Sequence, residues 1–144
     1  MAEKEYISYD EIVEECKNLA KRLKNNKFNK IIAITRGGMV PACLLAQFLD
    51  IRTIDSIALV SYGNDDKQAD LKCLLAPNVE IDEQTLFVDD LYDSGNTYKY
   101  IKQQYPKAKC TVIYTKYSEA ELDFPATLKD KDKWLVFPWE FDAV

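Results

Sequence analysis

The chain has 144 residues, enough for one domain with one core, so residues 1–144 read as a single domain. Its net charge of −5 and pI near 4.8 disfavour a nucleic-acid partner, while a small phosphorylated ligand needs only a few local donors. Hydrophobic residues at 47% and charged residues at 30% indicate a soluble globular class, and no apolar run approaches the roughly 18 residues that a membrane span needs.

The opening Met1-Ala-Glu-Lys-Glu-Tyr6 is charged and lacks the apolar stretch of a signal peptide, so a cytoplasmic location is the default expectation. Ser8 followed by Glu11 reads as a capping box. Apolar residues at Ile12, Val13, Cys16, Leu19, Ala20 and Leu23 then give helical spacing, ending near Asn25-Asn26. Ile31–Ile34 is a short apolar run of the buried parallel-strand type, and Thr35-Arg-Gly-Gly38 is a turn. Met39–Leu49 is helix-forming, with Pro41 tolerated in the first turn. Thr53–Tyr62 reads as a second strand and the polar stretch Gly63–Asp70 as a mobile loop. Leu71–Leu75 is expected to pair only weakly with a strand. Thr85–Val88 is a third buried strand. Thr97–Tyr105 is a short helix stopped by Pro106, and Cys110–Tyr114 is a fourth strand. Beyond it the pattern weakens through Pro125 and the charged run Lys129–Lys133 to an aromatic end, Trp134–Trp139.

Alternating strands and helices predict an α/β fold, a parallel twisted sheet flanked by helices on both faces. Ligands of such sheets bind beyond the carboxyl ends of the strands. That directs attention to Thr35–Gly38, Gly63–Lys72, Asp89–Thr97 and the loop after Tyr114.

The chain has no histidine, which removes histidine-activated nucleophiles and histidine-ligated metals. Its four cysteines, Cys16, Cys43, Cys73 and Cys110, form no CxxC pair and read as reduced thiols, mostly packed as small hydrophobes. Acid–base chemistry therefore falls to carboxylates, Lys, Tyr or a ligand.

The segment Leu86-Phe-Val-Asp-Asp-Leu-Tyr-Asp-Ser-Gly-Asn-Thr97 carries the strongest chemistry. Asp89 and Asp90 end a buried strand, and Ser94-Gly95-Asn96-Thr97 opens a helix. Unpaired N–H groups and partial positive charge at a helix start accept a phosphate. Gly95 allows close backbone approach, and Ser94 and Thr97 add hydroxyl donors. The adjacent acids would repel a bare phosphate, so ribose hydroxyls and a magnesium ion (Mg2+), held by Asp90 and Asp89, suit them better. Either pair of residues alone is an ordinary acidic strand end or capped helix; the whole string reads as a sugar-phosphate site.

This string resembles the signature of the type I phosphoribosyltransferases: apolar residues, Asp-Asp, two residues, then Asp-Thr-Gly-Gly-Thr. The chain departs at Ser94 and at Asn96, where the family usually has glycine; Asn tolerates positive φ better than most residues, so the turn is expected to survive. The likeness is nearest to the bacterial xanthine-guanine (6-oxopurine) enzymes and runs over nearly the whole chain. It implies the family fold, with a small hood formed largely by the C-terminal segment. It implies that Arg36 and the amide of Gly37 hold pyrophosphate, in a loop whose peptide is often cis in the family. Together with Asp89, Asp90, Asp93, Ser94, Gly95, Asn96 and Thr97 these residues would bind phosphoribosyl pyrophosphate. Asp93 would also be the catalytic base, taking the proton from the five-membered ring of the purine.

The same resemblance makes Ser61-Tyr62 and the stretch to Lys72 a flexible catalytic loop. Its usual arginine is missing, leaving Lys67 or Lys72 to replace it. Lys116 would donate to the 6-oxo group of the base, Trp134 would stack on it and the backbone of Leu135 would contact it. Taken alone, Lys116 is an ordinary surface lysine and Trp139 a core tryptophan. The implied activity is transfer of a phosphoribosyl group to guanine, xanthine or hypoxanthine in purine salvage, by a homodimer or homotetramer. The alternative is a non-catalytic sensor of phosphoribosyl pyrophosphate or nucleotides on the same fold. The acidic charge and the retention of Asp93, Lys116 and Trp134 speak against it.

Overall fold

The structure, a computed structural model, describes residues 2–62 and 70–144. The chain opens with a strand, β1 (Glu3–Tyr6), that the sequence pattern did not predict. Helix α1 (Tyr9–Leu23) follows. Ser8 caps it, accepting from the Glu11 N–H at 3.1 Å. The expected reciprocal half of the capping box is replaced: the Glu11 carboxylate accepts from the Tyr114 hydroxyl and pairs with Lys129. Ile12, Cys16, Leu19, Ala20 and Leu23 form the buried stripe of α1. A 3-10 turn over Lys24–Asn26 ends it, with Lys27 in the left-handed region.

Strand β2 (Lys30–Thr35), helix α2 (Met39–Leu49) and strand β3 (Thr53–Tyr62) come next, close to their expected bounds. Strand β4 (Asp70–Leu75) pairs with β3 from Tyr62↔Asp70 to Ala58↔Leu75, so the pairing expected to be weak is an antiparallel ladder along the whole strand, with one register shift at Ala58/Leu59. Of the expected mobile loop Gly63–Asp70, residues 63–69 lie outside the described residues, and Asp70 opens β4. Strand β5 (Thr85–Tyr92) runs four residues past its expected end, carrying Asp89 and Asp90 within it. Helix α3 (Asn96–Gln104), strand β6 (Lys109–Thr115) and two short strands, β7 (Thr127–Leu128) and β8 (Lys133–Val136), complete the chain.

The main sheet has the order β4-β3-β2-β5-β6-β7 and is parallel except for the edge strand β4. Chain progress turns outward in opposite directions from the β2–β5 junction: β2 leads to β3 on one side, β5 to β6 on the other. Helix α2 packs over β2 and β5, and α3 over β6 and β4. Each face has its own core. Leu45, Leu86, Val88 and Tyr114 pack with α1 and α2 on one side. Ile34, Phe87, Tyr98, Ile101 and Val112 pack around α3 on the other. A crevice therefore opens past the carboxyl ends of β2 and β5, the switch point where such sheets take ligands.

The hood is a two-stranded parallel sheet of β1 and β8, in register from Glu3↔Lys133 to Tyr6↔Val136. The N-terminal strand thus supplies half of what the sequence assigned largely to the C-terminus. Four residues with exposed, charged neighbours carry no periodic signal, and only the partner strand makes β1 visible. Ile7, Leu135 and Phe137 anchor the hood in the α1–α2 core.

Candidate active site

Two turns meet at the switch point. β2 pairs with β5 only as far as Ala33↔Val88. Beyond that point β5 continues against β6 alone, with Asp89↔Val112 and Leu91↔Tyr114. The gap on its other side is filled by Arg36–Gly38 as the chain turns into α2. Gly38 lies against the Val88 carbonyl, with no room for a Cβ, and its N–H donates to Ile34 O at 2.8 Å. Gly37 lies directly against the Asp90 carboxylate. The Thr35–Arg36 peptide is cis, as the resemblance implied. Arg36, Gly37, Asp89, Asp90, Trp139, Glu140 and Phe141 line one open cleft of about 430 Å³.

Asp89 and Asp90 are crowded acids. Burial, followed by the neighbouring charge of Asp90, pushes the Asp89 carboxyl well above the ordinary carboxylate range. Burial also raises Asp90, and the Glu140 carboxylate adds to it, against hydrogen bonds from Asp89 and the backbone that lower it. Two hard-oxygen donors in a field short of positive charge fit a magnesium ion. Such an ion is commonly held by one or two carboxylates and completed by substrate phosphates. Among the described residues no three acids approach closely enough to hold a metal unaided. Glu140, which lines the same cleft as Asp90, is a residue that the sequence pattern does not single out, since no local spacing ties it to the acids.

The loop after β5 turns on Gly95, whose φ of 83° is left-handed. A Cβ there would also strike the Tyr92 ring, so glycine is required twice over. Asn96 is the first residue of α3 and does not need positive φ, correcting the expectation from its family position. Its N–H donates to Ser94 Oγ at 3.3 Å. Ser94, Asn96 and Thr97 face Leu59, Ser61 and Leu71 across a cleft of about 400 Å³. Lys72 pairs with Val60, while Ser61 pairs with Leu71, so strand alternation turns Lys72 away from this cleft. It does not take the place of the missing arginine there; Lys67 lies outside the described residues.

Asp93 is half-exposed and borders both this cleft and a larger one of about 700 Å³ lined by Tyr92, Tyr98, Lys99 and Tyr117. That larger cleft touches Asp93 and Ser94 but none of Arg36, Lys116 or Trp134. Lys116 follows β6 and is buried, unlike a surface lysine. Its Nζ donates to the Lys133 carbonyl at 2.9 Å and lies 3.9 Å from Asp93 Oδ2. Its backbone N–H donates to Tyr92 O at 3.2 Å, tying it to the strand that carries the acids. Lys116 thereby joins the loop after β5 to the hood. Trp134, the next residue after Lys133, is 58% exposed, leaving an indole face open to a flat ligand. Leu135 is buried and fixed in the hood ladder against Glu5. Trp139 stacks on Phe137 at 5.0 Å and 10°, half-buried against the core while also lining the cleft beside Asp89 and Asp90.

Clefts at the carboxyl ends of the strands of an α/β sheet thus surround Asp89–Thr97, an arrangement of the switch-point class. The chain belongs to the phosphoribosyl transferase domain family, which it matches over residues 6–144. It is 38% identical over 94% of its length to a xanthine-guanine phosphoribosyltransferase of Idiomarina loihiensis, of which it covers 86%. It is 40% identical to the enzyme of the same name from Desulfotalea psychrophila, over 95% of this chain and 86% of that one. The xanthine-guanine-hypoxanthine phosphoribosyltransferase of Helicobacter pylori has a similar structure, with a TM-score of 0.75 at 25% identity over 95% of this chain and 94% of that one.

Proposed function

We propose that the protein transfers the phosphoribosyl group of phosphoribosyl pyrophosphate to a 6-oxopurine, guanine, xanthine or hypoxanthine, releasing pyrophosphate in purine salvage. The observation that carries the purine reading is Lys116, buried between Asp93 and the Lys133 carbonyl next to an exposed Trp134. An ammonium has three donors and no acceptor. One goes to Lys133 O, leaving donors for the 6-oxo oxygen of a base stacked on Trp134. Adenine presents an amino group at that position and has nothing to accept with.

Ser94, Gly95, Asn96 and Thr97 grip the 5′-phosphate through N–H and hydroxyl donors at the start of α3. Asp89 and Asp90 take the ribose hydroxyls and the metal, and Arg36 with the Gly37 amide takes the pyrophosphate. A magnesium ion, when bound there, supplies positive charge to the leaving pyrophosphate. As a purine nitrogen forms its bond to the sugar, the bond to pyrophosphate breaks and positive charge spreads over the ring. Asp93 takes the proton that the five-membered ring loses. The 5′-phosphate grip holds the sugar in line for attack. The enzyme works in the cytoplasm as a homodimer or homotetramer, an assembly that light scattering would test.

The assay mixes the protein, phosphoribosyl pyrophosphate and magnesium with guanine, xanthine, hypoxanthine or adenine and follows pyrophosphate. Release is expected with 6-oxopurines and not with adenine. Tight nucleotide binding with no release from any base would sink the catalytic reading.

A further inference from the structure

Lys129 sits where four segments meet, and none of its contacts belongs to the site described above. Its backbone N–H donates to Thr115 O at 2.9 Å, one residue before Lys116. Its Nζ lies 2.8 Å from Glu5 Oε2 on β1 and 3.1 Å from Glu11 Oε2 on α1. It also stands 5.0 Å from the centroid of the Tyr114 ring on β6. The Tyr114 hydroxyl closes the set by donating to the same Glu11 oxygen at 2.5 Å. The lysine side chain is only 16% exposed, so these pairs are screened less than surface ones.

The protonation directions agree with the geometry. Burial pushes the Glu11 carboxyl up, but the Tyr114 and Lys129 bonds outweigh it and hold it below the ordinary value. Burial disfavours the charged form of Lys129, and its two acidic partners more than reverse that. Without the cation, Glu5 and Glu11 would be two like charges at the junction of β1 and α1, pushing the hood strand away from the core.

The elements held are the ones that carry the acceptor residues. Glu5 is in register with Leu135, and Lys4 with Trp134, so holding β1 holds the strand that presents Trp134. Thr115 and Tyr114 lead directly to Lys116. Resting on the reading of Lys116 and Trp134 as base contacts, we infer that Lys129 is a positioning residue for the purine end, setting the hood over the sheet edge. Its side chain contacts Glu5, Glu11 and the Tyr114 ring, none of them in Asp89–Thr97. Its removal therefore separates the two substrates: the purine loses affinity and phosphoribosyl pyrophosphate does not.

The test uses the full chain and compares wild type with Lys129→Met, Lys129→Arg and Glu5→Ala. Both Michaelis constants are measured, and GMP and phosphoribosyl pyrophosphate binding are followed by calorimetry. Lys129→Met should raise the purine KM about tenfold, with the phosphoribosyl pyrophosphate KM within about twofold. Lys129→Arg, which still bridges both acids, should restore most of the loss. Glu5→Ala removes only the β1 tie and should raise the purine KM about threefold, keeping the test open if Lys129→Met does not fold. Equal losses for both ligands, or an unchanged purine KM in folded Glu5→Ala, would overturn the inference. If wild type turns over no purine, the functional reading fails instead. Calorimetry then decides the inference alone: selective loss of GMP affinity in Lys129→Met supports it, and equal or no loss overturns it.

Discussion

The loop that we propose holds the phosphoribosyl donor and the end that we propose takes the purine are built by opposite means. The donor loop is nine consecutive residues, Asp89–Thr97, shaped by a strand end, one left-handed glycine and a helix start. Its donors are backbone N–H groups and short hydroxyls, whose positions follow from local backbone geometry. The purine end gathers Lys116 after β6, Trp134 and Leu135 on β8, and Asp93 from the loop itself. No two of its elements are adjacent in the chain, and its hood strand is held by β1 from the far N-terminus. Local backbone geometry secures the first, and long-range packing secures the second.

Four substitutions can break or sharpen that contrast. Asp93 belongs to both halves, so Asp93→Asn should be the most damaging. It is expected to lower kcat by about 100-fold or more while phosphoribosyl pyrophosphate binding persists. Unchanged turnover in this variant would take Asp93 out of the chemistry. Lys116→Met should act on the purine side only, reducing kcat/KM for 6-oxopurines by roughly 10- to 100-fold with a nearly constant donor KM. A matching rise in both constants would mean that the lysine serves the fold through Lys133 rather than the base. Trp134→Leu should raise the purine KM by about tenfold and spare kcat, since stacking holds the base before and during the reaction alike. Calorimetry with GMP checks it, and equal affinity in the variant would make the exposed indole a bystander. Asn96→Gly should be mildest. Because Asn96 is already helical and its backbone N–H is unchanged, the donor KM should shift by about threefold or less. A larger loss would assign the phosphate grip to the Asn96 carboxamide instead.

Part of the molecule was legible from residue order. β2, α2 and β3 fell where apolar runs and Pro41 put them, because a strand buried on both faces needs an unbroken apolar stretch. β4 was underestimated since Leu71–Leu75 is half-exposed and gains its ladder only from β3. β5 was cut short at Val88, because two aspartates end an apolar run in sequence while β6 keeps the ladder going in space. The capping box at Ser8 was half right, for Glu11 finds a hydroxyl and an ammonium more than 100 residues away. Lys116 carried a surface lysine's pattern, and only its burial against Lys133 distinguishes it.

By itself the sequence located the Asp89–Thr97 loop, since an apolar run, a glycine turn and a helix start are local signals. It also determined that the left-handed position there is a glycine, though not that Asn96 is spared it. The tertiary structure decided how the hood end is built: which lysine is buried, which tryptophan is exposed and which packs half-buried on the core, and how β1 and Lys129 meet there. Those choices depend on side chains distant in the chain meeting in space, where pairing, burial and repulsion are set by neighbours that no local spacing encodes.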